Sequence, residues 1–124
     1  LKALETDKII CTGYVSDEYL NALYSKASVV WFPSRDEGFG MPVIEAMSAG
    51  APVVASRVAS IPEIAEGAAV LCDVDSPEEH LEAIKSLIGS PSRRAEMSRI
   101  GLAHAEQFTG GGSAEKLEQL FQSI

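Results

Sequence analysis

The stretch Ser28–Ser56, SVVWFPSRDEGFGMPVIEAMSAGAPVVAS, decides the fold. Its first five residues, Ser28–Phe32, are a short run dominated by β-branched and aromatic side chains, which reads as a strand that Pro33 stops. A loop carrying Gly38 and Gly40 follows. From Pro42 to about Ala49 the pattern is helical, with a proline in the first turn, where no hydrogen bond is lost, and Gly50 at the stop. Pro52–Ser56, PVVAS, is a second apolar run. Apolar strands separated by helices are the pattern of a parallel sheet covered on both faces.

The same alternation continues outward. Upstream, Ile9-Ile10-Cys11 reads as a buried strand ending at Thr12-Gly13, and Ser16 caps a helix to about Lys26 with Leu20, Leu23 and Tyr24 on one face. Downstream, Ile61–Glu66 is a short helix and Ala69–Cys72 a further strand. Ser76-Pro77-Glu78-Glu79 is a nearly complete helix start, and the helix runs to Ile88 with an apolar stripe of Leu81, Ile84, Leu87 and Ile88. Ser90-Pro91 opens another helix to about Gln107. The fold class is therefore α/β, a Rossmann-like three-layer α/β/α arrangement with a mainly parallel sheet. Residues 1–108 form one partial Rossmann-like unit, residues 109–113 a Gly-rich joint, and residues 114–124 a C-terminal helix.

Composition narrows the function classes. The chain has 124 residues, with 10 Lys+Arg against 18 Asp+Glu, hence a net charge of −8. A chain of this size buries roughly two thirds of its unfolded surface, enough for one domain or part of one. The acids are concentrated: residues 36–82 hold ten of them and one base, Arg57, a net of −9. Such a balance disfavours a nucleic-acid partner and gives no strong membrane signal, since both want a basic face. No run approaches the ~18 apolar residues of a membrane span, and the start of the chain lacks the shape of a signal peptide. Cys11 and Cys72 lie in apolar runs without CxxC or zinc spacing, so two buried reduced thiols and a cytoplasmic location are expected.

The chemistry concentrates in Ser34–Ala46, which passes from the end of a strand through two glycines into a helix start. Ligands of open α/β sheets bind at the carboxyl ends of strands. A helix N-terminus reached through glycines presents free N–H groups to an anion such as a phosphate, and glycine lets the backbone approach closely. Glu37 precedes this helix and Glu45 is placed in its first turn. Ionised carboxylates only accept hydrogen bonds, so a pair of them suits the vicinal hydroxyls of sugars and ribose. A ligand with phosphate between two polyhydroxylated ends fits the arrangement.

Glu37 and Glu45 stand at E-x7-E spacing inside EGFGMPVIEAMSAGAPVVAS. This segment closely resembles the signature of the retaining GT-B glycosyltransferases of group 1, the glycogen synthase-like family, and nearly the whole chain resembles their C-terminal, donor-binding domain. Gly13–Asp17, Ala49–Ser56 and Ile61-Pro62-Glu63 match neighbouring segments of that domain. The resemblance implies that Glu37 is the catalytic-site carboxylate that binds hydroxyls of the donor hexose. It implies that Gly38, Phe39, Gly40, Met41 and Pro42 line the sugar and diphosphate, with backbone N–H groups offered by Phe39, Gly40 and Met41. Glu45 would hold the ribose hydroxyls, Val43 and Ile44 would pack, and Val15 and Asp17 match loop positions that can touch the base. It further implies a nucleotide-diphosphate sugar as substrate, no cofactor and no metal, and an acceptor site on an N-terminal domain not included in this chain, so that the chain alone is inactive. An incomplete sheet leaves an edge open, which favours self-association.

Blander readings stand beside these. Glu37 could be a solvated loop acid and Glu45 a favourable charge in a helix's first turn. Asp73-x-Asp75 reads as a turn and cap rather than a metal motif, His80 and His104 as surface or packing residues, and Trp31 as core. A non-catalytic nucleotide-sugar or partner-binding module, or a structural fold fragment, is the alternative function.

Overall fold

The computed structural model describes residues 8–35 and 40–109. The expected closing helix over 114–124 and nearly all of the Gly-rich joint lie outside the described residues. In chain order the elements are α1 (Asp17–Lys26), β1 (Val30–Phe32), α2 (Met41–Ser48), β2 (Val53–Ser56), α3 (Ile61–Ala65), β3 (Val70–Cys72), α4 (Pro77–Ile88) and α5 (Pro91–Thr109). The three strands form one parallel sheet in the order β1-β2-β3. Val30 pairs with Val53 at one ladder and Val54 with Val70 at the other. This is the α/β class that the alternation predicts.

The central strand explains why the sheet is covered twice. All four residues of β2 are buried, and their period of two divides them between layers. Val53 and Ala55 join Ile44 and Met47 of α2, Ile61 and Ile64 of α3, and Ala105 and Phe108 of α5. Val54 turns the other way, to Cys72 and to Leu87 of α4, with Ile84 and Met97 packed around them. Helix α5 lies close along α2: a Cβ placed on Gly101 would sit 3.5 Å from the Met47 side chain. The Val43 and Ile44 side chains are 1% exposed, as a packing role requires.

Four local expectations are corrected. No described strand spans Ile9–Cys11, and Ile10 is 81% exposed. A buried strand needs a ladder and covering helices, whereas Ile9 makes only an isolated bridge and is 49% exposed. Trp31 is half exposed rather than core. Val30 and Phe32 pack against the α2–α3–α5 layer, so alternation turns Trp31 to the α4 side of an edge strand, where only part of the indole is covered. On α4 the inward stripe is His80, Ile84 and Leu87, while Leu81 and Ile88 face solvent. That i, i+4, i+7 register is possible because His80 finds hydrogen bonds inside. Finally, α1 has no buried residue, and Leu23 is exposed; of its expected apolar face, Tyr24 is the residue packed against the core.

Candidate functional site

Helix α1 is fixed by its cap. The Ser16 hydroxyl accepts the Tyr19 N–H at 3.1 Å, and Asp17 and Glu18 place negative charge at the positive end of the helix. Val15, half-buried, directly precedes the cap. From Asp17 the spacing i, i+3, i+4, i+7 sets Leu20, Asn21 and Tyr24 on one face of the helix.

Helix α2 starts differently. Its N-cap is Gly40, with φ of +85° and no capping side chain. A side chain there would be strained by the backbone and would collide with its surroundings: a Cβ would lie 2.9 Å from Ile64 Cδ1 and 3.3 Å from Ile61 Cγ1. Glycine thus lets α2 begin flush against α3. The Gly40 carbonyl accepts the Val43 N–H at 3.0 Å, and Pro42 contributes no donor. The N–H groups offered by the described part of this helix start are therefore those of Gly40 and Met41. Glu45 is the fifth residue of α2, in its second turn and exposed. This corrects its expected placement in the first turn and removes the helix-terminus explanation for its charge.

Between these helices lies a cavity of about 310 Å³ lined by Asp17, Leu20, Asn21, Tyr24 and Glu45. Two acceptor-only carboxylates, one amide and one phenol supply its polar lining. Among the described residues no cationic side chain lines it. Burial pushes the Tyr24 phenol above the usual tyrosine range, and the nearby Glu45 carboxylate adds to the effect. The phenol is accordingly a protonated hydrogen-bond donor at neutral pH.

A bonded turn stands at the carboxyl ends of the strands. Asp73 Oδ1 accepts the Asp75 N–H at 2.8 Å, the Asp73 N–H donates to Glu79 Oε2 at 3.2 Å, and Ser76 Oγ accepts the Glu79 N–H. Asp73-x-Asp75 is the turn and cap that its sequence predicts. Arg35, at the end of the β1 segment, is tied to this turn by an ion pair with Asp75 at 2.8 Å. Both histidines pack. His80 lies between Trp31 and the Asp73 carbonyl, and His104 Nε2 donates to the Ile64 carbonyl, joining α5 to α3.

Of the residues singled out from sequence, Asp17 and Glu45 are brought together on the cavity. Gly40, Met41 and Pro42 form the start of the helix that carries Glu45. Val15 is beside the α1 cap and is not among the cavity-lining residues. Glu37, Gly38 and Phe39 lie outside the described residues. Leu20, Asn21 and Tyr24 were missed as lining residues. The signal that finds them is their helical spacing from Asp17, which the reading of Leu20 and Tyr24 as a core face obscured.

Residues 1–104 match the model of the family described as glycosyl transferases group 1. The chain is similar to O-antigen chain mannosyltransferase B of Escherichia coli, with 44% identity over 100 residues, covering 78% of this chain and 26% of that protein. It is also similar to D-inositol 3-phosphate glycosyltransferase of Corynebacterium diphtheriae, 37% identical over 106 residues, covering 84% of this chain and 25% of the relative. Among solved structures, sucrose-phosphate synthase of Thermosynechococcus elongatus superposes with a TM-score of 0.82 at 28% identity, covering 94% of this chain and 30% of that one. The chain thus spans about a quarter of the length of the curated relatives it matches. With a family match over residues 1–104 and relatives of this identity, the chain belongs to the group 1 glycosyl transferases.

Proposed function

We propose that the chain is the donor-binding part of a retaining glycosyltransferase that moves a hexose from a nucleotide-diphosphate sugar to an acceptor. The observation that carries the reading is the meeting of Asp17 and Glu45 on one cavity beside the α2 start. Glu45 accepts hydrogen bonds from the ribose hydroxyls, and Glu37, eight residues earlier, accepts from the hexose. The diphosphate lies toward the N–H groups of Gly40 and Met41, because the acid-lined cavity repels it and the helix start attracts it. Transfer needs no protein nucleophile in this scheme. The acceptor attacks from the leaving-group face, its proton passes to the departing diphosphate, and the protein contributes position and charge stabilisation. The acceptor is held by a further domain, so the isolated chain binds donor without turning it over.

Calorimetric titration of this chain with UDP-, GDP- and ADP-sugars tests the reading. One of the three binds, and Glu45→Gln and Glu37→Gln each weaken it on the order of tenfold or more, as loss of a charged hydrogen bond predicts. No heat with any of them overturns the reading. Transfer restored by a matching N-terminal half added in trans distinguishes an enzyme part from a non-catalytic binding module.

A further inference from the structure

The inventory of the cavity assigns a role to a residue that the E-x7-E pattern does not include. A ribose diol both donates and accepts hydrogen bonds. Glu45 and Asp17, when ionised, can only accept, and the Leu20 side chain can do neither, so among the described lining side chains the diol oxygens find donors only at the Asn21 amide and the Tyr24 hydroxyl. Leaving those oxygens unmatched in a partly desolvated site costs affinity. Of the two, Tyr24 is the anchored one: it packs against the buried cluster from the inner side of α1, whereas Asn21 is exposed. The side chain is held within electrostatic reach of Glu45.

We propose that Tyr24 is a second reader of the donor's ribose, donating its phenolic O–H to a hydroxyl oxygen whose own proton Glu45 accepts. The pairing makes recognition two-sided. Glu45 alone takes any donor-bearing group, while Glu45 with Tyr24 selects a group that gives and receives at adjacent atoms. The perturbed phenol supports this, because a tyrosine kept protonated beside a carboxylate stays a donor across the neutral range. This inference rests on the nucleotide-sugar reading given above.

The test compares the unmodified chain with Tyr24→Phe, titrating UDP, GDP and ADP and then the 2′,3′-dideoxy form of whichever binds. Tyr24→Phe weakens the ribonucleotide roughly three- to tenfold, the range of one neutral hydrogen bond, and leaves the dideoxy form unchanged. Equal weakening of both forms, or of neither, overturns the proposal: the first makes Tyr24 a packing residue and the second makes it irrelevant. A Tyr24→Phe, Glu45→Gln double variant checks the pairing independently, since its loss falls short of the sum of the two single losses if both act on one diol. Failure of the unmodified chain to bind any of the three nucleotides rejects the nucleotide-sugar reading itself, which is a different result from binding without Tyr24 dependence.

Discussion

The indole N–H of Trp31 donates to His80 Nδ1 at 3.0 Å, with the rings edge-on at a centroid separation of 6.0 Å. Indole is donor only, so Nδ1 must be the accepting nitrogen. The proton then sits on Nε2, which faces the Asp73 carbonyl at 3.0 Å. His80 is thereby a neutral imidazole of one defined tautomer. It links the edge strand β1 to the turn at the end of β3, across the central strand.

Removing this link should be costly. His80→Ala takes the acceptor from the indole N–H and one of two donors from the Asp73 carbonyl, which keeps the Ser76 N–H at 3.1 Å, and lowers the unfolding free energy by about 1–3 kcal/mol. Urea titration followed by the emission of Trp31, the single tryptophan, measures it directly. An unchanged midpoint would show that the link contributes nothing to stability.

Gly40→Ala should destabilise for two separable reasons, the positive φ and the 2.9 Å approach to Ile64 Cδ1. Together they cost roughly 1–3 kcal/mol. In a Gly40→Ala, Ile64→Val background the steric part is relieved and the backbone part remains. A full recovery in the thermal melt of the double variant would mean that the left-handed backbone carries no penalty.

Tyr24 should make the fold sensitive to alkali. Its phenol is raised above the usual value near 10, first by burial and then by Glu45. The native state therefore holds this proton more tightly than the unfolded chain. The contribution is complete below the unfolded value and is lost as pH climbs through the folded one. Chemical denaturation at pH 9 and at pH 11 should show a fall in stability that is smaller in Tyr24→Phe. Glu45→Gln moves the phenol's titration downward, read by ultraviolet absorbance in a Tyr14→Phe, Tyr19→Phe background.

The two thiols should differ in reactivity. Cys72 is buried, and its thiol is pushed up by burial and then by Glu79, against a smaller opposing pull from Arg57. Cys11 is only partly covered. Ellman's reagent at pH 8 should label Cys11 in the native chain and Cys72 only after unfolding. Equal rates would contradict the burial of β3.

Ser56 offers a stabilising change. Its hydroxyl is buried at the end of β2 with no hydrogen-bond partner among the described residues. Replacing it by alanine removes an unmatched polar group without opening a large void, so Ser56→Ala should hold or raise stability by up to about 1 kcal/mol. A loss larger than that in differential scanning calorimetry would reveal a partner for the hydroxyl.

What the sequence discloses follows from how local the deciding physics is. Ser16 and Ser76 announce their helices because capping needs only the next three residues, and both hydroxyls accept the N–H three positions on. PVVAS discloses a doubly covered strand because every residue of it is apolar or small. Trp31, Leu81 and Ile88 mislead because apolarity does not say which layer is present to cover a side chain. His80 enters the interior through a bond to a residue 49 positions away, which no helical stripe can foretell. The candidate site divides in the same way. Glu45 is a candidate from spacing alone, whereas Tyr24 reads as core until α1 and α2 are set side by side around the cavity.

Helix α1, with no buried residue and, among the described residues, one tyrosine reaching the core, is a loosely pinned wall, while β2 beneath is paired on both edges and covered on both faces. Amide protons should accordingly exchange earliest along α1 and last along β2. Part of whatever occupies the cavity is then spent on quieting this helix, so affinity there depends on how ordered α1 already is. A neighbouring domain that braced α1 from outside would tighten binding in the cavity without touching the ligand.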